Sequence, residues 1–219
     1  MATSTVENYL KSILRLQRRS GSTAVGEVAR ELSLTPGTVT TMMRHLSGEG
    51  YVDYQPRRGL RLTPDGESAA LRVVRRHRLI ELFLVQVMAM DWTEVHEEAE
   101  QLEHVVSDRL IDRMDEMLGR PTRDPHGDPI PDAEGNIVAM EALPLAEVES
   151  GMYRVVRVSD QDPDLLGWLD EKGMTIGEEF ELSHCNRAAG VLEIVREEAE
   201  RLQMGMQVAE RVFVESVSA

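Results

Sequence analysis

The chain has 219 residues, 42% of them hydrophobic, enough for packed cores, which argues against wholesale disorder. No apolar run approaches the roughly 18 residues of a membrane-spanning helix. The opening MATSTVENYLKSILRLQ also lacks the basic-then-apolar layout of a signal peptide, so a cytoplasmic protein is expected. The net charge of −15 is unevenly spread: residues 1–80 hold 13 Lys/Arg against 7 Asp/Glu, whereas residues 81–219 hold 11 against 32. A basic first third on an acidic remainder is the asymmetry of a chain that meets nucleic acid at one end. The single cysteine, Cys185, can close no internal disulfide, which fits a reducing compartment, and reads as a small buried hydrophobe.

In chain order, Ser4 with Glu7 three residues on forms a capping-box pattern. Val6, Tyr9, Leu10, Ile13 and Leu16 then recur at helical spacing up to the break at SGS. A short helix over AVGEVARELS follows, with Val25, Val28, Ala29 and Leu32 on one face. Thr35 reads as an N-cap and Pro36 as the first helical residue of a third helix, which ends at Gly48 or Gly50. The stretch YVDYQPRRGLRLT alternates, turns at PRRG and alternates again, which predicts a small hairpin.

Helix, helix, tight turn, helix and hairpin is the layout of a winged helix-turn-helix. Its third helix carries short side chains at the cap and early turns, Thr35, Gly37, Thr38, Thr40 and Thr41, which let a helix sit deep in a major groove. Arg57 and Arg58 stand at the hairpin tip, where a wing touches phosphates. A helical hairpin in a protein–protein module is the alternative; the basic charge and the wing favour DNA.

Residues 64–90 predict one long helix, basic at first (Arg72, Arg75, Arg76, Arg78) and then apolar. A further helix is expected over residues 93–118. Met88, Met90 and Trp92 between them suit a dimer interface or a buried core equally well. GRPTRDPHGDPIPDAEGN reads as a loop and residues 141–151 as a linker. From residue 152 short strands recur (YRVVRVS, EEFELSH, GVLEIVRE, RVFVESV), which predicts a small β-barrel.

The segment HEEAEQLEHVVSD, residues 96–108, holds two histidines and five carboxylates. On a helix, His96, Glu100, Glu103 and His104 fall within an arc of about 100°, beside the apolar arc of Val95, Ala99, Leu102 and Val106. His77 and Glu81 form an i, i+4 pair on the preceding helix. Carboxylate and imidazole together suit a divalent metal such as Mn, Fe, Co, Zn or Ni. Salt-bridging on a solvated surface is the alternative reading. A carboxylate-bridged di-metal enzyme is disfavoured, because the paired Glu-x-x-His helices of that pattern are not evident. No P-loop, Rossmann fingerprint or G-x-S-x-G element is present either.

A winged helix, a ligand-rich helical pair and a small β-barrel, in that order, resemble the diphtheria toxin repressor family of metal-dependent transcriptional repressors. The resemblance covers essentially the whole chain and is most specific at ENYLKSI, RRHRLIELFL, VHEEAEQLEHVVSD and DPHGDPIP. It implies a mainly α fold with a smaller β part: a winged helix-turn-helix domain at 1–72, a helical dimerisation and metal-binding domain at 73–140, the linker at 141–151, and an SH3-like (FeoA-type) domain at 152–219. It also implies metal positions at Asn8, His77, Glu81, His96, Glu100, Glu103 and His104, with a further site from Asp124, His126 and Asp160. In the iron-responsive branch the position of Glu100 is usually Cys and that of Asn8 Met; in the manganese-responsive branch they are usually Glu and Asp. Glu100 therefore points to Mn²⁺, in agreement with the oxygen-rich donor set. Asn8 departs from both patterns, since its amide oxygen can coordinate but brings no charge.

The function implied is a homodimeric repressor that binds a palindromic double-stranded operator and controls metal-uptake genes. It would take Mn²⁺, or alternatively Fe²⁺, at two or more ions per chain. A helix-turn-helix regulator sensing a small organic ligand and, least favoured, a metalloenzyme are the rival classes.

Overall fold

The computed structural model describes residues 3–21, 23–56, 58–159, 162–196 and 201–217. Helix α1 (Ser4–Ser20) buries Val6, Tyr9, Leu10, Ile13 and Leu14, the stripe that its sequence spacing demands. Its N-cap is Thr3 rather than Ser4: the Thr3 hydroxyl accepts the Val6 N–H at 3.4 Å. Glu7, expected to close a capping box, is instead drawn into ion pairs described below. Gly21, at φ 74°, ends the helix in the left-handed conformation that glycine adopts without strain.

The chain forms two compact units, one of residues 1–77, 100–111 and 131–136, the other of 78–99, 112–130 and 137–219. In the first, α2 (Val25–Glu31) and α3 (Pro36–Gly48) follow α1. The Glu27 carboxylate reaches back to the Ala24 N–H at 2.7 Å. Thr35 caps α3 by accepting the Thr38 N–H at 3.2 Å, with Pro36 in the first turn as expected. Val28, Ala29, Val39, Met43 and Leu46 close the helical core. Strands β1 (Val52–Gln55) and β2 (Gly59–Leu62) pair antiparallel from Val52↔Leu62 to Gln55↔Gly59. The Leu60 N–H donates to the Thr23 carbonyl at 3.0 Å, which anchors this wing to the segment between α1 and α2. Helix α4 (Pro64–Gln86) enters so close to the wing that a Cβ on Gly66 would lie 2.0 Å from the Tyr51 carbonyl oxygen.

In the second unit the remainder of α4 buries Leu79, Ile80, Leu82 and Leu84. The single helix expected over 93–118 is two, α5 (Val95–Leu102) and α6 (Asp108–Met117), of which residues 100–111 belong to the first unit. Between them residues 103–107 form a turn in which the Val105 and Val106 N–H groups both donate to the Leu102 carbonyl. The Ser107 hydroxyl accepts the Leu110 N–H at 3.4 Å, the contact of a helix N-cap, so the chain re-initiates rather than continues.

The β part is one antiparallel sheet in the order β3-β8-β4-β5-β6-β7, comprising β3 (Leu143–Pro144), β4 (Gly151–Val158), β5 (Glu179–Asn186), β6 (Val191–Val195), β7 (Arg201–Gly205) and β8 (Val212–Ser216). Helices α7 (Pro163–Glu171) and α8 (Met206–Ala209) complete it, and α8 packs against β6, β7 and β8. Leu166, Leu169, Phe180, Leu182, Leu192, Ile194 and Val214 are among the core residues. The segment expected to be a linker belongs to this fold: Leu143–Pro144 pairs with Phe213–Val214, and Leu145, Ala146 and Val148 are buried in the core. Trp92, proposed from sequence for a dimer interface or core, packs against this same core, whereas Met88 is exposed.

Candidate functional site

In the first unit three elements converge on one carboxylate. Glu103, fully buried in the turn after α5, receives Lys11 Nζ from α1 on Oε1 at 2.6 Å and His77 Nδ1 from α4 on Oε2 at 2.6 Å. Burial alone pushes its carboxyl up, but the His77 hydrogen bond and the Lys11 charge outweigh it and hold the group below the ordinary glutamate value. Lys11 Nζ also lies 2.6 Å from Glu100 Oε1. His104 Nε2 is 3.3 Å from Glu103 Oε1, while its Nδ1 lies 2.6 Å from Glu7 Oε2. A carboxylate can only accept, so Nδ1 carries the proton and Nε2 keeps a lone pair in the neutral ring. Arg76 Nη2 holds the other Glu7 oxygen at 2.6 Å.

Among the described residues, His104 Nε2 and Asn8 Oδ1 are buried lone-pair atoms without a hydrogen-bond partner, and Arg76 Nε is a buried donor without one. Leaving such atoms unsatisfied costs about 1–3 kcal/mol each, and the first two can donate a lone pair to a divalent cation. A donor set of carboxylate, amide oxygen and imidazole therefore fits a hard to borderline metal ion. His77, Glu100, Glu103 and His104 are thus brought together around Lys11, and Asn8 lies on α1 next to Glu7, which holds His104. The geometry differs from that expected, since Glu103 and His104 are presented by a turn and not along a helix edge. Glu7 was missed as a site residue. The signal was its position directly before Asn8, overlooked because it suited a capping box; a carboxylate that orients a ligand histidine is a recurrent feature of metal sites.

The second unit holds a separate group. His96 Nδ1 lies 3.2 Å from Glu81 Oε1 and His126 Nδ1 3.9 Å from Glu81 Oε2. Glu81, Asp124 and His126, all buried, offer three ligand atoms within 4.8 Å of one another. His126 Nε2 donates to the Trp92 carbonyl at 2.9 Å, and the two rings stack at 5.5 Å, so its Nδ1 faces Glu81 with a lone pair in the neutral ring. The loop is rigid by construction: Asp124 Oδ1 accepts the N–H groups of His126 and Asp128, both at 2.9 Å. The Val158 N–H of β4 donates to the His126 carbonyl at 2.9 Å. Desolvation, then the nearby charges of Asp128 and Glu81, push the Asp124 carboxyl well above the usual aspartate range, and Arg78 only partly offsets them. Buried carboxylates under such repulsion are relieved by a cation. Asp160, the suggested barrel ligand, lies outside the described residues.

Helix α3 presents Thr35, Gly37, Thr38 and Thr41 exposed, with Thr40 half-buried. The Thr40 and Thr41 hydroxyls donate to the carbonyls of Pro36 and Gly37, at 2.8 and 3.1 Å, leaving each hydroxyl lone pairs and a methyl to offer. Exposed Arg44, one turn beyond Thr40, is a further cation of this face, absent from the sequence prediction because it lies beyond the early turns of the helix. Arg58 is exposed at the wing tip; Arg57 lies outside the described residues. Of the arginines on α4, Arg75 donates to the Pro131 carbonyl at 2.9 Å, Arg76 holds Glu7, and Arg78 faces Asp124 at 3.4 Å, so these three serve the protein's own structure.

Residues 1–60 match the N-terminal DNA-binding domain of iron dependent repressors, residues 63–132 their metal binding and dimerisation domain, and residues 143–216 the FeoA domain. A diphtheria toxin repressor from Corynebacterium efficiens is 32% identical over 190 residues, 81% of this chain and 82% of that protein. The HTH-type transcriptional regulator MntR of Lysinibacillus sphaericus is 36% identical over 118 residues, 54% of this chain and 84% of its own. A solved manganese-dependent transcriptional repressor in complex with manganese superposes with a TM-score of 0.88 at 36% identity, covering 97% of this chain and 100% of its own. The chain belongs to the iron-dependent repressor family of metal-dependent, DNA-binding transcriptional repressors, and carries that family's DNA-binding, metal-binding and FeoA domains in sequence order.

Proposed function

We propose that the protein is a cytoplasmic, homodimeric, Mn²⁺-dependent repressor that binds a palindromic operator and controls metal-uptake genes. The observation that carries this reading is the first cluster: α1, which packs against the helix-turn-helix, meets Glu103 and His104 through Lys11 and Glu7. Asn8, Glu100, Glu103 and His104 are the residues that would hold a divalent cation, whose positive charge would offset the carboxylates there. Glu7 and Arg76 hold the His104 ring so that Nε2 points at the donor set, and His77 orients Glu103. These residues thereby fix where α1 stands, and metal favours the DNA-competent form only by its higher affinity for that form.

Manganese is preferred over iron on donor chemistry. The described ligand candidates hold oxygen and imidazole nitrogen, with neither thiolate nor thioether, and Cys185 belongs to strand β5. The solved structures that carry manganese in their names support the same choice; the iron-dependent relatives keep Fe²⁺ as the second reading. The two groups suggest at least two ions per chain, one with Asn8, His77, Glu100, Glu103 and His104 and one with Glu81, His96, Asp124 and His126, to which the family resemblance adds Asp160. Thr35, Gly37, Thr38, Thr40, Thr41, Arg44, Arg57 and Arg58 form the DNA-reading surface, and the role is not enzymatic.

The experiment is a mobility-shift titration of promoter DNA with equal protein in Mn²⁺, Fe²⁺ (anaerobic) or EDTA. Binding should appear with Mn²⁺ at lower protein concentration than with Fe²⁺, and be weakest in EDTA. Equal binding in all three would overturn the reading.

A further inference from the structure

We infer that Lys11 is a tethered counter-cation that holds the first cluster together in the absence of metal and must be displaced for a metal ion to bind, so that it sets the metal concentration at which the protein responds. The inference rests on the function proposed above.

Lys11 Nζ sits 2.6 Å from Glu100 Oε1 and 2.6 Å from Glu103 Oε1, bridging the two carboxylates that are the cluster's anionic ligand candidates. Its side chain is 20% exposed and Glu103 not at all, so the Glu103 arm of the bridge is largely sheltered from solvent screening, while Glu100, 37% exposed, is the wetter arm. An ammonium has three donors and no lone pair, so it cannot coordinate a metal while it pairs with these oxygens. The oxygens it occupies are the ones an ion would need, and a divalent ion beside it would be repelled. Lys11 follows Asn8 by three residues on α1 and so shares its face of the helix, alongside the unpartnered Asn8 Oδ1. The four-carbon stem lets the ammonium swing to water without moving α1. The pairs that orient the histidines, Glu7–His104 and His77–Glu103, do not involve Lys11 and can persist through the exchange. A competing internal cation lowers apparent affinity by the fraction of time it leaves the site open.

The test is a pair of charge-removing variants, Lys11→Met and Lys11→Gln, the second keeping a hydrogen-bond donor should the first fold poorly. Mn²⁺ affinity is read by isothermal titration, and melting temperature is read for each protein in EDTA and in saturating Mn²⁺. The expected results are Mn²⁺ binding tighter by about tenfold or more, a lower melting temperature in EDTA, and a melting temperature in saturating Mn²⁺ like that of the wild type. Unchanged or weaker Mn²⁺ affinity, or an equal fall in melting temperature in both conditions, would make Lys11 an ordinary structural ion pair and overturn the inference while leaving the proposed function intact. If wild type and both variants all fail to bind Mn²⁺, the inference and the proposed function fall together.

Discussion

Glu103 has no exposed surface, yet both its oxygens are matched: Lys11 and His77 serve it from two helices. Its folded pKa lies below the ordinary 4.5, so by linkage it contributes stability above the unfolded value and loses it as pH falls through the folded one. Acid melting of the metal-free protein below about pH 4.5 should therefore be shallower in Glu103→Gln, as followed by circular dichroism. The same variant leaves Lys11 and His77 short of an anionic partner, and its Mn²⁺-dependent DNA binding should be lost. Glu7 touches the cluster only through His104 and Arg76. Glu7→Gln should weaken Mn²⁺ binding by about 10–100-fold, the usual cost of removing a residue that orients a ligand histidine, measured by isothermal titration; an unchanged affinity would remove Glu7 from the account. Asp124 has the opposite sign. Its raised folded pKa means that Asp124 holds its proton to higher pH in the fold than in the unfolded chain, and its stability contribution declines as pH rises from the unfolded value through the folded one. Metal binding at the second group should release that proton where Asp124 is still protonated. The release is seen as a dependence of calorimetric heat on buffer ionisation enthalpy that Asp124→Asn abolishes.

At the scale of elements, the DPHG loop shows how backbone demands fix a site. Gly127 has φ 83°, and a Cβ there would lie 2.1 Å from the Val156 carbonyl oxygen of β4. Gly127→Ala should lower the melting temperature of the metal-free protein through strain of about 1–3 kcal/mol plus displacement of the loop, and should weaken metal binding by moving Asp124 and His126. The winged unit was legible because its signals are local: Thr35 caps α3, Pro36 follows, and the hairpin turns where its alternation breaks. The break between α5 and α6 was not, because Val95, Ala99, Leu102, Val106 and Leu110 keep an apolar spacing across it; only Ser107, as a cap, marks the restart. Strand β3 was hidden in a supposed linker because two residues are strand only by pairing with β8, some 70 residues on. Helix α7 did carry a signal, Asp162 as N-cap with Pro163 after it, which the strand-dominated pattern around it masked. His77, Glu81, His96, Glu100, Glu103 and His104 could be named from residue type and spacing, whereas Asn8, Asp124, His126 and Asp160 came only with the family resemblance. The contacts made by Lys11 and Trp92 were not legible because they depend on tertiary packing, and Glu7 had only its place beside Asn8 to mark it.

For the molecule as a whole, the charge asymmetry of the sequence acquires a division of labour. Arg75, Arg76 and Arg78 are committed to Pro131, Glu7 and Asp124, so the cations left for phosphates are those of the winged unit, Arg44 and Arg58 among them. Operator binding should weaken with salt, and Arg44→Ala should reduce the slope of log affinity against log salt by about one if Arg44 meets a phosphate. The acidic remainder would repel DNA, and cations held at the two carboxylate groups would offset part of that repulsion. No helix among the described residues is long and apolar enough to cross a membrane. The central claim is that metal at the α1–Glu103–His104 cluster governs DNA binding, and fluorescence anisotropy of a labelled palindromic operator titrated with protein, in Mn²⁺ and in EDTA, tests it most directly. The account predicts a Kd at least about tenfold tighter in Mn²⁺ for the wild type and no such difference for His104→Ala. A wild-type Kd indifferent to Mn²⁺, or a His104→Ala protein that responds as the wild type does, would contradict it.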